Sequence, residues 1–290
     1  MSALSVRRRS VTSGVLWAVP AAVVVTSAPA FAASRITITS PVPPVGYVNE
    51  PYTTPLTATG GATPYTWSLS NGTTPSGTMV DPAGQLVGTP TAQGHYTPTT
   101  QVTDANTQSS TSILVVDIGV DRSAAEAEML RLINERRSSI GVPALTVASS
   151  LATNGEGWDE HLASTGSTLI HQSPLPTGTR AENLSGTCSS APDARGPTTV
   201  GASLVNGWLD EPHSYQEYIA LRAVDPAAAQ DMYMGTGAYA SVGASGHRIN
   251  LENPNYSTIG LGVAYSNVGS ACSASYPAYI YGYYGAAEFA

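Results

Sequence analysis

The sequence contains no lysine, two cysteines, two phenylalanines and a charged fraction of only 11% across 290 residues. With lysine absent, all twelve basic residues are arginines. Beyond the first ten residues they are thinly spread, so no basic stripe of the kind that tracks a nucleic-acid backbone exists. No Gly-x-Ser-x-Gly elbow occurs and no serine is marked out by its neighbours, which removes the common serine-hydrolase signature. No Cys-x-x-Cys spacing occurs either, so the cysteines do not read as a redox pair. The apolar content, 42%, still suffices to bury cores, and this length makes two domains the natural expectation.

Residues 1–32 read as a secretory signal peptide. Arg7 to Arg9 form a basic start, Val15 to Val25 an apolar stretch, and Ala30-Phe31-Ala32 a small-x-small cleavage site. The apolar run is short and interrupted by Pro20, Ser27 and Pro29, which argues against a membrane span and for a secreted, extracellular chain with no transmembrane segment after processing. Removing the three arginines takes the formal charge from −8 to about −11, which argues against nucleic acid or anionic lipid as an electrostatically driven partner. In an oxidising compartment Cys188 and Cys272 are expected to join in a structural disulfide.

From Arg35 to Val120 short alternating runs are separated by turn signals. Ile36 to Thr39, Tyr65 to Leu69 and Ser112 to Val116 read as strands, with turns at Gly60-Gly61, Asn71-Gly72, Pro82-Ala83-Gly84 and Gly88-Thr89-Pro90, which suggests a small antiparallel β-sandwich. The segments Ala58 to Leu69, Gly84 to Thr91, Gly94-His95-Tyr96 and Val102-Thr103-Asp104 resemble the immunoglobulin-like modules of bacterial surface and secreted proteins. The pattern departs at Pro98, where an edge or a break is expected.

Composition changes at Asp121. Ser123 to Ile140 reads as an amphipathic helix with Ala125, Met129, Leu132 and Ile133 on one side, Arg137 among the polar faces, and Ser123 with Glu126 as a capping box. Gly141 and Pro143 supply its stop. A second helix is expected over Ala148 to Ser164, then a loop-rich stretch, then strands at Ile259 to Tyr265 and around Ala278 to Ile280, with Tyr279, Tyr281 and Tyr283 on the opposite side. Helices first and strands last describe an α+β domain.

Four of the five histidines fall in this second part, and their scarcity makes their neighbours informative. His171 lies in Leu169 to Ser173, Glu182 in Ala181-Glu182-Asn183-Leu184, Glu211 after Trp208-Leu209-Asp210, and His247 in Gly246-His247-Arg248-Ile249-Asn250. Two imidazoles and two carboxylates near the ends of regular elements suit a divalent cation or acid-base chemistry. Trp208 reads as core, Asn183 and Leu184 as structural, His213 as an exposed loop residue, His161 as a helix residue near the site, and His95 as a turn residue.

The order and contexts of these segments, with Leu132-Ile133-Asn134-Glu135-Arg136-Arg137, resemble the CAP superfamily of cysteine-rich secretory, antigen-five and pathogenesis-related class-one proteins. The resemblance runs from about Ala124 to Ala290 and places a CAP domain at 122–290, after an immunoglobulin-like β-sandwich at 35–120. It implies a CAP-type α-β-α sandwich whose central cleft is lined by His171, Glu182, Glu211 and His247. His171 and His247 are the expected metal ligands, with zinc as the expected cation, and a lipid, sterol or cell-surface ligand is the expected partner. Departures are Ala181 where glycine is usual and a long segment between Glu211 and His247. A non-enzymatic secreted protein is the main expectation. The alternatives are a metal-dependent hydrolase of peptide or cell-wall material, with Glu182 as base, and a surface-adhesion protein.

Overall fold

The computed structural model describes residues 34–270, Ser275, Ala278 and 281–290. The expected signal peptide and Cys272 lie outside the described residues, as does part of the strand expected around Ala278 to Ile280. Cys188 is not a free thiol.

Residues 34–120 are all β. The strands are β1 (Thr37–Ile38), β2 (Gly46–Tyr47), β3 (Tyr52–Pro55), β4 (Ala58–Thr59), β5 (Thr66–Asn71), β6 (Thr78–Asp81), β7 (Gln85–Gly88), β8 (Gly94–Tyr96), β9 (Thr99–Thr103), β10 (Ser109–Ile113) and β11 (Val116–Gly119). They pair as β1-β4, β10-β9-β5, β2-β11-β8 and β3-β7-β6, antiparallel except for β11 against β2. Trp67, Leu86, Val102, Val116 and Ile118 form the core. The expected break at Pro98 separates β8 from β9. The run Ser112 to Val116, expected as one strand, belongs to two strands in different sheets, with Leu114 held between them by its N–H to Pro98 O. His95, expected in a turn, sits in β8, and its Nδ1 lies 2.8 Å from the buried Asp117.

The second part opens with α1 (Arg122–Ser139), β12 (Thr146–Val147), α2 (Ser149–Thr165) and β13 (Ala181–Gly186). There follow α3 (Pro197–Leu209), α4 (Tyr215–Val224), α5 (Pro226–Met234), a 3-10 turn at Gly237–Tyr239 and α6 (Gly246–Glu252), and then β14 (Thr258–Ser266) and β15 (Gly282–Phe289). The stretch expected to be loop-rich therefore holds four helices. Their apolar stripes are short, and α4 buries no residue at all, so hydrophobic periodicity marks them weakly. The cap of α1 is Asp121, not Ser123: its carboxylate accepts from Ala124 N. Buried residues of α1 recur every four positions, at Ala125, Met129, Ile133 and Arg137. Arg137, expected on a polar face, is fully buried because its guanidinium donates to the carbonyls of Pro143, Leu251, Asn253 and Tyr256.

The sheet order is β12-β14-β15-β13, with β13 at an edge. Alternation along β14 and β15 sorts the two faces. Ile259, Leu261, Val263, Tyr283, Ala287 and Phe289 join a core with α1 and α3, whereas Ala264, Tyr284 and Ala286 pack with Leu162 and Ala163 of α2. Both faces are thus covered by helices, an α+β architecture in three layers. Gly260 and Gly262 lie on the α2 face. A Cβ added at Gly260 would meet Leu151 C at 2.0 Å, and one at Gly262 would meet Glu156 N at 2.6 Å, so the α2 backbone rests directly on the strand.

The β-rich part is built into this core. Tyr47 and Val120 belong to the α1–α3 side cluster. Tyr265 N donates to the Tyr47 hydroxyl at 2.9 Å, and Val120 N to the Tyr283 hydroxyl at 3.1 Å. Arg122 lies over the Tyr47 ring at 4.1 Å and bonds both Glu50 and Glu160. Beside this junction the Glu126 carboxyl is pushed up to about 8, by burial first and by Glu156 second.

Two predictions follow from this packing. Gly260→Ala should lower unfolding free energy by about 3 kcal/mol or prevent folding, because backbone rather than a flexible side chain must give way, and denaturant titration measures it. For Glu126, the folded carboxyl holds its proton where the unfolded one has lost it. Its contribution therefore falls as pH rises from the ordinary glutamate range to about 8. Glu126→Gln should flatten the stability–pH curve over that window. An unchanged slope in thermal melts would disprove the assignment.

Candidate functional site

The four expected residues come together as two dyads. His171 Nδ1 lies 2.6 Å from Glu182 Oε2, and His247 Nδ1 lies 2.6 Å from Glu211 Oε1. The two imidazole centroids are 6.4 Å apart. An ionised carboxylate only accepts, so Nδ1 carries the proton in each neutral ring and the lone pair resides on Nε2. Neither Nε2 has a hydrogen bond among the described residues.

The edge strand explains how these groups meet. Glu182 and Leu184 of β13 point to the α2 face, and Leu184 packs with that cluster. Asn183 points the other way, where its Nδ2 donates to His247 O at 2.9 Å and its Oδ1 accepts from Asn250 at 2.9 Å. One dyad therefore hangs from each side of β13, and the rings approach beyond its edge. The usual glycine position, Ala181, keeps regular register with Phe289, so the residue departure leaves the strand undistorted. On the α3 side, Trp208 is 2% exposed, donates to Leu184 O and lies 6.2 Å from the His247 ring, in keeping with its expected place in the core. On the α2 side, Trp158 Nε1 donates to Ile170 O at 2.9 Å and fixes the segment entering His171.

Both carboxylates are fully engaged. The Glu182 side chain is 1% exposed and accepts from His171, from Gln172 N and from Gln172 Nε2. Glu211 accepts from His247 and from Arg248 N. Behind Glu182 lies a buried acidic layer. Gln172 Nε2 also donates to Glu288, which opposes Glu182 in register, and Thr179 donates to the other Glu288 oxygen. Burial raises Glu288, with Thr179 and Gln172 pulling the other way. Asp159 on α2 is wholly buried, and neither oxygen has a hydrogen-bond partner among the described residues. Burial, reinforced by Glu182, Glu126 and Glu288, raises it well above the usual carboxylate range, with the nearby Ala286 backbone pulling the other way.

The dyads open into a cleft of about 660 Å³. Its far wall is α4 and α5, the long segment between Glu211 and His247, which contributes Tyr215, Tyr218, Ile219, Arg222, Tyr233 and Met234. Ser214 and Glu217 form a capping box that starts α4, and Tyr215 N donates to Glu252. Burial alone would raise Glu252. Its bonds to Arg248, Tyr215 N and Arg136 outweigh that and hold it below the usual range, tying α1, α4 and α6 together.

Two other histidines differ from expectation. His213 is not a freely exposed loop residue: it meets Tyr239 edge-on at 5.3 Å, and its Nε2 is buried without a partner among the described residues. His161 is exposed on α2 and stacks on Trp158 at 5.0 Å, and it does not line the cleft. No group of three or more His, Cys, Asp or Glu is placed to hold a metal among the described residues. Sequence reasoning did not single out Gln172, Glu288, Asp159 or the arginines and tyrosines of the far wall. Their signal is tertiary, apart from the unusual polarity of Glu288 in an otherwise apolar strand.

A model of the cysteine-rich secretory protein family, CAP, matches residues 130–284, and one described as "Putative Ig domain" matches 35–119. No match was found among curated proteins. Two solved structures from Bacteroides fragilis, titled "putative alpha-galactosidase/melibiase" and "putative alpha-galactosidase", are 23% and 28% identical at a TM-score of 0.27. Each alignment covers 30% of this chain and only 18% of the other. The extracellular cadherin domains 1–4 of protocadherin gamma B7 align at 18% identity and a TM-score of 0.26, over 31% of this chain and 26% of that one. At these scores the likeness carries no argument. The family matches, in the order of the two folded parts described above, make this chain a member of the CAP family that carries an Ig-type domain ahead of its CAP domain.

Proposed function

We propose that this chain is an exported, non-catalytic binding protein whose cleft takes a divalent cation, zinc in the first instance, on Nε2 of His171 and His247. The observation that carries this reading is the pairing of both Nδ1 atoms with carboxylates, which leaves two oriented lone pairs on neighbouring rings. With Zn–N bonds of about 2.0–2.1 Å and a tetrahedral angle, two coordinating rings have centroids about 5 Å apart. The observed separation is 6.4 Å with the ring planes 36° apart, so the rings would close by about 1 Å and turn both Nε2 atoms toward one ion. Two protein ligands leave the remaining positions to water or to a ligand in the cleft.

Hydrolysis with Glu182 as base is disfavoured by the same geometry. That carboxylate is shielded and already accepts three hydrogen bonds, so it would have to give up a partner before accepting a proton from water.

Calorimetric titration of zinc into the processed protein should give saturable binding at one ion per chain. It should be lost in the His171→Ala/His247→Ala double variant and weakened about 10- to 100-fold by Glu182→Gln or Glu211→Gln through loss of ring orientation. Equal binding by the wild type and the double variant, or none by either, would reject the cation reading.

A further inference from the structure

We infer that the cleft recognises an acidic saccharide, with Arg180 and Arg222 receiving its carboxylates. This rests on the reading of the cleft as a ligand site and adds the ligand class. Eight arginines occur from Arg122 onward, in a chain where twenty acidic residues outnumber twelve basic ones. Arg122, Arg131, Arg136, Arg195 and Arg248 pair with carboxylates, and Arg137 is spent on backbone carbonyls. Arg180 and Arg222 alone of the eight have no side-chain hydrogen bond or ion pair among the described residues, and both line the same cleft. Guanidinium groups spared from a surplus of carboxylates, and gathered in a concavity, form a local positive focus on an acidic protein. Their planar fork matches a carboxylate bidentately.

The rest of the wall is mixed: Leu175, Ile219, Met234 and Ile249 give apolar surface beside the phenols and amides, a combination that suits the C–H faces and hydroxyls of a sugar ring. Arg180 lies 5.6 Å from the Tyr256 ring centroid and Arg222 5.9 Å from that of Tyr218, so each cation is coupled to a hydroxylated aromatic ring. Every aromatic side chain other than the two histidines in the lining is a tyrosine, and the carboxamides of Asn253 and Asn255 join them. An acyl chain or sterol body would find partners in those aliphatic residues but would strip water from the phenol hydroxyls and amides without replacing its hydrogen bonds. A ring bearing hydroxyls presents C–H faces to the phenols and donors and acceptors to the amides. Tyr218 and Arg222 both sit on α4, so the inserted helix supplies one Arg–Tyr pair while the segment before β13 supplies Arg180.

The test is calorimetry of the processed wild-type protein with a galacturonic acid trisaccharide and with its methyl ester, each in chelator and in zinc. The expected result is binding of the free acid, at least about tenfold weaker binding of the ester, and about tenfold loss in Arg180→Gln and in Arg222→Gln. Both positions are exposed, and circular dichroism should show both variants folded. Absence of acid binding, equal affinity for acid and ester, or undiminished binding in both folded variants would overturn the inference. So would Arg222-dependent binding to phosphatidylglycerol vesicles with none to the trisaccharide. The chelator arm separates the two readings: saccharide binding that persists there, beside failed zinc titration, removes only the cation, while zinc binding without saccharide binding removes only the ligand class.

Discussion

The contact on which the site depends is backbone on backbone, where α2 rests upon β14 at Gly260 and Gly262. A helix normally stands off a sheet by the length of its side chains, and here the strand offers none over two positions of one face. That closeness lowers α2 until Leu162 and Ala163 meet Tyr284 and Ala286, buries Asp159 completely, and brings Trp158 within reach of Ile170 O. His171 follows directly in the chain. The geometry of the cleft is therefore inherited from an absence of two side chains on the opposite side of the helix.

The site itself follows a single economy of hydrogen bonds around the edge strand β13. Glu182 and Glu211 each fix one imidazole and one backbone N–H, so position and tautomer are set together. Gln172 extends one arm inward to Glu288, and Asn183 extends the other to Asn250. The imidazoles keep accessible nitrogen at the end of a largely buried polar frame. Such a frame holds the two rings in place in advance, since the carboxylates within it are already committed.

Much of this was legible in the sequence and the remainder had a physical reason to be hidden. The strand Ile259 to Tyr265, the spans of α1 and α2 and the pairing partners His171, Glu182, Glu211 and His247 are readable because local pattern or motif carries them. The Asp121 cap lay two residues before the expected Ser123, a shift within the fraying of any helix start. Arg137 was placed on a polar face because its charge suggested solvent, yet four carbonyls from distant loops replace that solvent. The helices α3 to α6 are hard to read for different reasons: α3 has a helical apolar spacing at Val200, Leu204, Val205 and Trp208 broken by Gly201 and Gly207, whereas α4 buries nothing and α5 and α6 are only nine and seven residues long. Which arginines lack a partner is likewise a property of the folded chain alone.

Between Gly119, which ends β11, and Arg122, which begins α1, only two residues intervene, and one of them, Val120, is itself part of the core. The tyrosine hydroxyl bonds at Tyr47 and Tyr283, together with the Arg122 fork, span that seam in parallel. A tether pulling on the N-terminal strands would find no slack to take up before it loaded these bonds. Tension would thus reach the cleft domain through its hydrophobic centre, and the two domains would bear it as one mechanical body.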